Sequence, residues 1–146
     1  MNIIDYKGEH GQKILANKMN KGAPEKITKF IDFADSLVVP GLSFTAIHQD
    51  KLIASAGFKP LWDGVAEVWF LASQDFHNHK LQIIKITKTK LKQIVEDNNL
   101  IRLQTAVRVD WPQAQKFASF MGLENEGLMR KYGPDGTDYF RYSRIY

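Results

Sequence analysis

The nine residues from Val65 to Ser73, VAEVWFLAS, place apolar side chains on both alternations of an extended chain, with Glu67 as the one charge among them. A strand patterned this way gives neither face freely to water, so it belongs in the middle of a sheet covered on both sides. Two more strand-like segments come just before it, LSFTAIHQ from Leu42 and KLIASAGF from Lys51. Gln49-Asp50 suits a tight turn between those two, and the stretch from Lys59 to Gly64, KPLWDG, carries the Pro and Asp-Gly signals of the next turn. The three segments therefore predict an antiparallel meander.

The flanking sequence switches period. Before the meander, MNIIDYK predicts an edge strand, and GQKILANKMNKG a weak helix ending at Gly22. From Pro24 a second helix is expected, with Ile27, Phe30, Ile31 and Ala34 on one face. After the meander, Ile83, Ile84, Thr87, Leu91, Ile94 and Val95 recur at helical spacing until Asp97-Asn-Asn99. LIRLQTAVRVD reads as another strand, Asp110 and Pro112 as a helix start, and Gly122 as its stop. ENEGLMRKY and DYFRYSRIY close the chain as a hairpin around Gly133-Pro-Asp-Gly136. The predicted order is β-α-α-β-β-β-α-β-α-β-β, an α/β class fold with a mixed sheet and helices on its faces.

Length and composition narrow the classes of function. A chain of 146 residues that is 44% hydrophobic can bury a core, and without linker or repeat it predicts one domain spanning residues 1–146. No apolar run approaches the roughly 20 residues of a bilayer span, and the N-terminal residues lack a signal-peptide pattern, so the expected compartment is the cytoplasm and no membrane partner is expected. With no cysteine, disulfides, thiolate metal sites and cysteine nucleophiles are excluded. A net charge of +4 suits an anionic ligand. The excess is concentrated in Lys80, Lys85, Lys88, Lys90 and Lys92. Such a run is either a solvated helix face or a nucleic-acid surface, and the absence of interleaved aromatics disfavours the latter. His77 and His79 form a His-x-His pair with no cysteine or further histidine nearby, which predicts no metal.

Several motifs in this order are distinctive. GVAEVWFLAS is followed by RLQTAVRVDWPQAQKFASFMG, then Leu123, Glu126-Gly127, a basic strand, Gly133-Pro-Asp-Gly136 and an aromatic final strand. The set resembles the Gcn5-related N-acetyltransferase (GNAT) superfamily across the whole chain from Met1 to Tyr146. Ala66-Glu-Val-Trp69 and the His79-Lys80 pair are most similar to small acetyltransferase-like proteins of bacteriophages, some of them internal virion proteins. The resemblance implies a largely antiparallel sheet splayed between its fourth and fifth strands. It also implies acetyl coenzyme A as co-substrate, an amine acceptor and direct transfer. Such a site lies beyond strand ends at a switch point, with phosphates on the following helix N-terminus.

Carried onto this sequence, the resemblance assigns the coenzyme to Leu71, Ala72 and Ser73 at the strand end and to His77, Asn78, His79, Lys80 and Leu81 in the loop. The superfamily's loop signature falls on His77 to Gln82 without a glycine, Lys80 and Gln82 standing where small residues are usual. The loop is open to two readings, a modified phosphate site and a plain turn. Asn78 tolerates positive φ, and Lys80 offers a cation in place of a lost amide contact. Glu67 stands where relatives carry the base that deprotonates the amine; the other reading is a strand carboxylate paired with a neighbouring cation. Ala118 replaces the usual proton-donating tyrosine and Trp111 the usual asparagine, which leaves Tyr132, Tyr139 or water as the acid. Trp69, on the Glu67 face, would wall the site, and Trp62 is a candidate for the acceptor pocket. These departures also admit a second function, an inactive protein of this fold acting as a structural or internal virion component with phage virion proteins as partners.

Overall fold

The computed structural model describes residues 1–16 and 30–146, so the expected helix end at Gly22, the start at Pro24 and Ile27 lie outside the described residues. Seven strands form one sheet: β1 (Asn2–Asp5), β2 (Ser43–His48), β3 (Lys51–Trp62), β4 (Val65–Ala72), β5 (Arg102–Arg108), β6 (Glu124–Met129) and β7 (Tyr139–Ile145). Their spatial order is β1-β2-β3-β4-β5-β7-β6, with β4 at the centre and β1 at an edge, as the pattern predicts. Every neighbouring pair is antiparallel except β4 and β5.

Turn chemistry sets the meander. Gln49 and Asp50 both adopt positive φ (49° and 61°), the primed geometry that matches the twist of a two-residue hairpin. The second turn is tighter than the Pro60 signal suggests, because β3 continues through Pro60 to Trp62 and only Asp63-Gly64 turn. Pro60 is tolerated since β2 pairs with β3 no further than Gly57, so no ladder bond is missing on that side. The β3–β4 register is irregular between Pro60 and Trp62.

Alternation divides β4 between two layers. Trp69 and Leu71 point to the face covered by α1 (Gly8–Ala16) and α2 (Phe30–Ser36), where they pack with Tyr6, Ile14, Leu15 and Phe33. The face expected for the second helix is described at Ala34, which is fully buried. Ala66 and Val68 point to the other face, covered by α3 (Lys80–Asp97) and α4 (Pro112–Phe120), whose Leu91, Ile94, Val95 and Ala118 join Leu103 and Tyr142 in the main core.

The stops of α3 and α4 follow the sequence, whereas α1 and α3 begin three residues earlier than the expected runs, at Gly8 and Lys80. Asn99 (φ 51°) and Gly122 (φ 84°) adopt the left-handed conformation that terminates α3 and α4. Asp110 does not cap α4; Trp111 occupies the cap position with no side-chain bond, and Asp110 instead takes two hydrogen bonds from Arg108. An adjacent arginine is a stronger partner for a carboxylate than a neutral amide.

Candidate functional site

The two central parallel strands are joined for only three register positions, Val65 with Arg102, Ala66 with Leu103 and Glu67 with Gln104. Beyond Glu67 they part, and β5 continues with β7 alone. A cavity of about 770 Å³ occupies the opening, running between α3 and α4 and through to the α1 and α2 face. Its walls are mostly apolar. Phe70, Phe76 and Phe117 meet there, the first and last with ring centroids 4.3 Å apart, so β4, the following turn and α4 share one aromatic lining.

The backbone of β4 supplies donors to this opening. Ser73 N–H donates to Ile53 O (3.0 Å), which identifies the residues of β4 whose polar groups face β3. Alternate residues face the opposite neighbour, so the N–H of Phe70 is turned toward the gap left by β5. Ser73 therefore cannot offer its amide to a ligand. Its hydroxyl is also engaged, accepting from Asp75 N–H (3.2 Å) at the start of a 3₁₀ helix.

That 3₁₀ helix, Gln74–His79, is the form taken by the glycine-free loop, and α3 follows it directly at Lys80. No residue from Ser73 to Gln82 has positive φ. Asn78 thus does not use its tolerance of that conformation, and Lys80 (φ −50°) and Gln82 sit inside right-handed helix, where glycine is not required. The α3 N-terminus carries no side-chain cap and follows the 3₁₀ helix without a break. Leu71, Ala72, His77 and Lys80 line the cavity. Asn78, His79 and Leu81 do not: His79 stacks on His48 with ring centroids 4.7 Å apart, and Leu81 is 83% exposed.

The opposite wall is α4. Gln113, Lys116, Phe117 and Phe120 line the cavity from its helical face, together with Trp111 at its cap. Lys80 and Lys116 thus approach the cavity from two sides. Lysine spacing on α3 separates two roles: Lys80 and Lys90 line the cavity, while Lys85, Lys88 and Lys92 are exposed.

On the α1 and α2 side of the sheet, Glu67 stands at the last joined position of β4, beside the cavity but outside its lining. Its carboxylate lies 3.6 Å from Arg141 of β7, so a cation does accompany it, two strands away. Tyr139 lines the cavity next to Arg108, its cross-strand neighbour. Burial pushes its phenol above the ordinary tyrosine range, partly opposed by Arg108. Tyr132 is half exposed and packs edge-on against Tyr139 at 5.4 Å without entering the lining. Ala118 is buried in the core.

Trp69 does line the cavity, its indole lying over Gly57, where an added Cβ would meet the ring at 2.7 Å. Trp62, at the hairpin entering β4, is on the far end of the strand from the opening, and its expected place in an acceptor pocket is not borne out. Lys116 and Arg141 were not marked by sequence. The i, i+3, i+4, i+7 spacing of Gln113, Lys116, Phe117 and Phe120 was the available signal for the first; cross-sheet proximity to Glu67 has no local signal. Among the described residues no group of three or more His, Asp or Glu side chains is placed to hold a metal.

No protein-family model and no curated sequence matches the chain. Solved structures do. Ard1 from Thermoplasma volcanium superposes with a TM-score of 0.79 at 13% identity, covering 99% of this chain and 96% of that one. A GNAT-family acetyltransferase from Bacillus anthracis gives 0.72 at 14% identity, covering 98% and 93%. A ribosomal-protein-alanine N-acetyltransferase from Brucella melitensis gives 0.70 at 12% identity over the full length of both chains. With its single parallel seam parting at the centre of a seven-stranded sheet, the chain has the fold of the GNAT acetyltransferases.

Proposed function

We propose that the protein is an N-acetyltransferase that passes an acetyl group from acetyl coenzyme A directly to an amine. The observation that carries this reading is the opening beyond Glu67, a slot between parting strands with an uncapped helix N-terminus and lysines from two walls at its rim. Those features fit a long, flexible ligand with anionic phosphates at one end: helix N–H groups and Lys80 and Lys116 suit the phosphates, and the apolar walls suit the arm. Acetyl coenzyme A supplies an acyl group already activated as a thioester.

The chain's own groups then divide the work. The Phe70 N–H, turned into the gap, orients and polarises an acyl oxygen. Glu67 Oε1 takes the proton from the acceptor ammonium, directly or through water, because only the neutral nitrogen attacks. The Tyr139 phenol, which lines the cavity, is the proton source on the same face, in the role that Ala118 cannot fill. Lys80, His77, Leu71 and Ala72 hold the ligand, while Ser73, Asn78, His79 and Leu81 support the turn.

Isothermal titration with acetyl coenzyme A tests this reading, with binding in the micromolar range as the expected result. An absence of heat and of any thermal shift at millimolar ligand overturns it. Ala118, buried where the resemblance places a proton-donating tyrosine, favours one other reading, a catalytically inactive structural component of a phage particle. Coenzyme binding together with release of free thiol in the presence of amines separates the two.

A further inference from the structure

Three arginines share the Glu67 face of the β5 and β7 strands, and their surroundings differ. Arg102 gives both terminal nitrogens to Glu126 (2.9 and 2.7 Å) and its Nε to Gln104 (3.0 Å). Arg108 donates to both oxygens of Asp110 and to Asp135 and Thr137, at 2.8 to 3.1 Å. The side chain of Arg141, cross-strand partner of Ala106 in the parted section of β5, makes no hydrogen bond among the described residues. Its Nη1 is buried without a hydrogen bond, held only by a loose 3.6 Å ion pair with the Glu67 carboxylate; its side chain is 19% exposed, and Glu126 is a second anion within reach of its charge. The ring of Tyr132 flanks it, 5.8 Å from Cζ.

An arginine carries five N–H donors in a fork that fits a carboxylate, and leaving such donors desolvated and unused is costly. In two of the three every side-chain nitrogen donates to the protein; in the third none does, and its one close contact is the ion pair with the proposed base.

We infer that Arg141 is the anchor for a carboxylate on the acceptor, and that the acceptor is a free amino acid. The inference rests on the reading of Glu67 as the residue facing the amine. In an α-amino acid the nitrogen and the carboxylate oxygens are about 3 Å apart by standard bond lengths. That spacing matches the gap between Glu67 and Arg141, so the zwitterion lies antiparallel to the pair, ammonium on Glu67 and carboxylate on Arg141. Arg141 also repels acceptors that bear several ammonium groups and no anion.

The test is ligand-observed saturation-transfer NMR on the full-length protein, with and without coenzyme A, using a mixture of the common amino acids and the same mixture as α-carboxamides. Wild-type protein is expected to show saturation of one or a few acids and of none of the amides. Arg141→Gln weakens that binding at least about tenfold, the loss typical of a hydrogen-bonded charge, and Arg141→Lys restores part of it. Acids and amides binding alike, or neither binding while coenzyme A does, overturns the inference and leaves the transferase reading standing. Amino acids that bind through Arg141 to a protein that ignores coenzyme A keep the anchor and sink the transferase. Silence toward every ligand sinks both.

Discussion

The two ends of the β4 and β5 pair are made of similar residues and behave differently. At Val65 to Glu67 the strands are hydrogen-bonded neighbours over Leu103, which is fully buried; from Val68 and Thr105 onward they separate around a cavity. Joined strands satisfy each other's backbone groups, whereas parted ones must find other partners or present donors to a ligand. The closed end therefore carries stability, and the open end is where the proposed coenzyme site lies. Glu67 sits at the junction.

Substitutions at the two ends should separate these effects. Leu103→Ala, at the closed end, is expected to cost about 2–5 kcal/mol of unfolding free energy, measured by denaturant titration, because the site cannot collapse onto a missing side chain. Coenzyme affinity of the remaining folded fraction should be unchanged; a selective loss of binding would blur the contrast. At the open end, Tyr139→Phe is expected to lower kcat about a hundredfold with little change in melting temperature, the usual scale for a lost proton donor. Equal activity would hand the acid role to water.

Charge reversal at the rim, Lys80→Glu with Lys116→Glu, should raise the Kd for acetyl coenzyme A by about tenfold or more and leave stability alone, as expected for exposed cations. Lys85→Glu with Lys88→Glu is the control, since those side chains face solvent. A pH-dependent effect concerns Tyr6, whose hydroxyl donates to Ala34 O (2.9 Å) and whose pKa burial raises from 10.0 to about 12. The folded state keeps the neutral phenol while the unfolded chain ionises, so this contribution is complete below pH 10 and is lost between pH 10 and about 12. A melting temperature flat across that window, or equal to that of Tyr6→Phe throughout, would contradict it.

Much of the fold was legible because period and turn chemistry are local. The doubly apolar β4, the primed turn at Gln49-Asp50 and the stops at Asn99 and Gly122 can each be read from a few residues. What escaped the sequence depends on partners far along the chain. Asp110 looked like a helix cap until Arg108 was seen to hold it, and Pro60 looked like a turn until β2 was seen to end first. The loop after β4 was left open for a related reason. Its missing glycines mattered only if the backbone needed positive φ, and the 3₁₀ turn into α3 needs none. Glu67, Tyr139 and Lys80 were marked by position, whereas Lys116 and Arg141 became visible only when the helix face and the neighbouring strands were in place.

The most direct test of the open strand end as the binding site is a crystal structure with coenzyme A. The sulfur-bearing arm is expected between Val68–Ala72 and Thr105–Arg108, with phosphates at the α3 N-terminus near Lys80 and Lys116. Coenzyme bound elsewhere on the molecule, or β4 and β5 found hydrogen-bonded along their whole length, would contradict it.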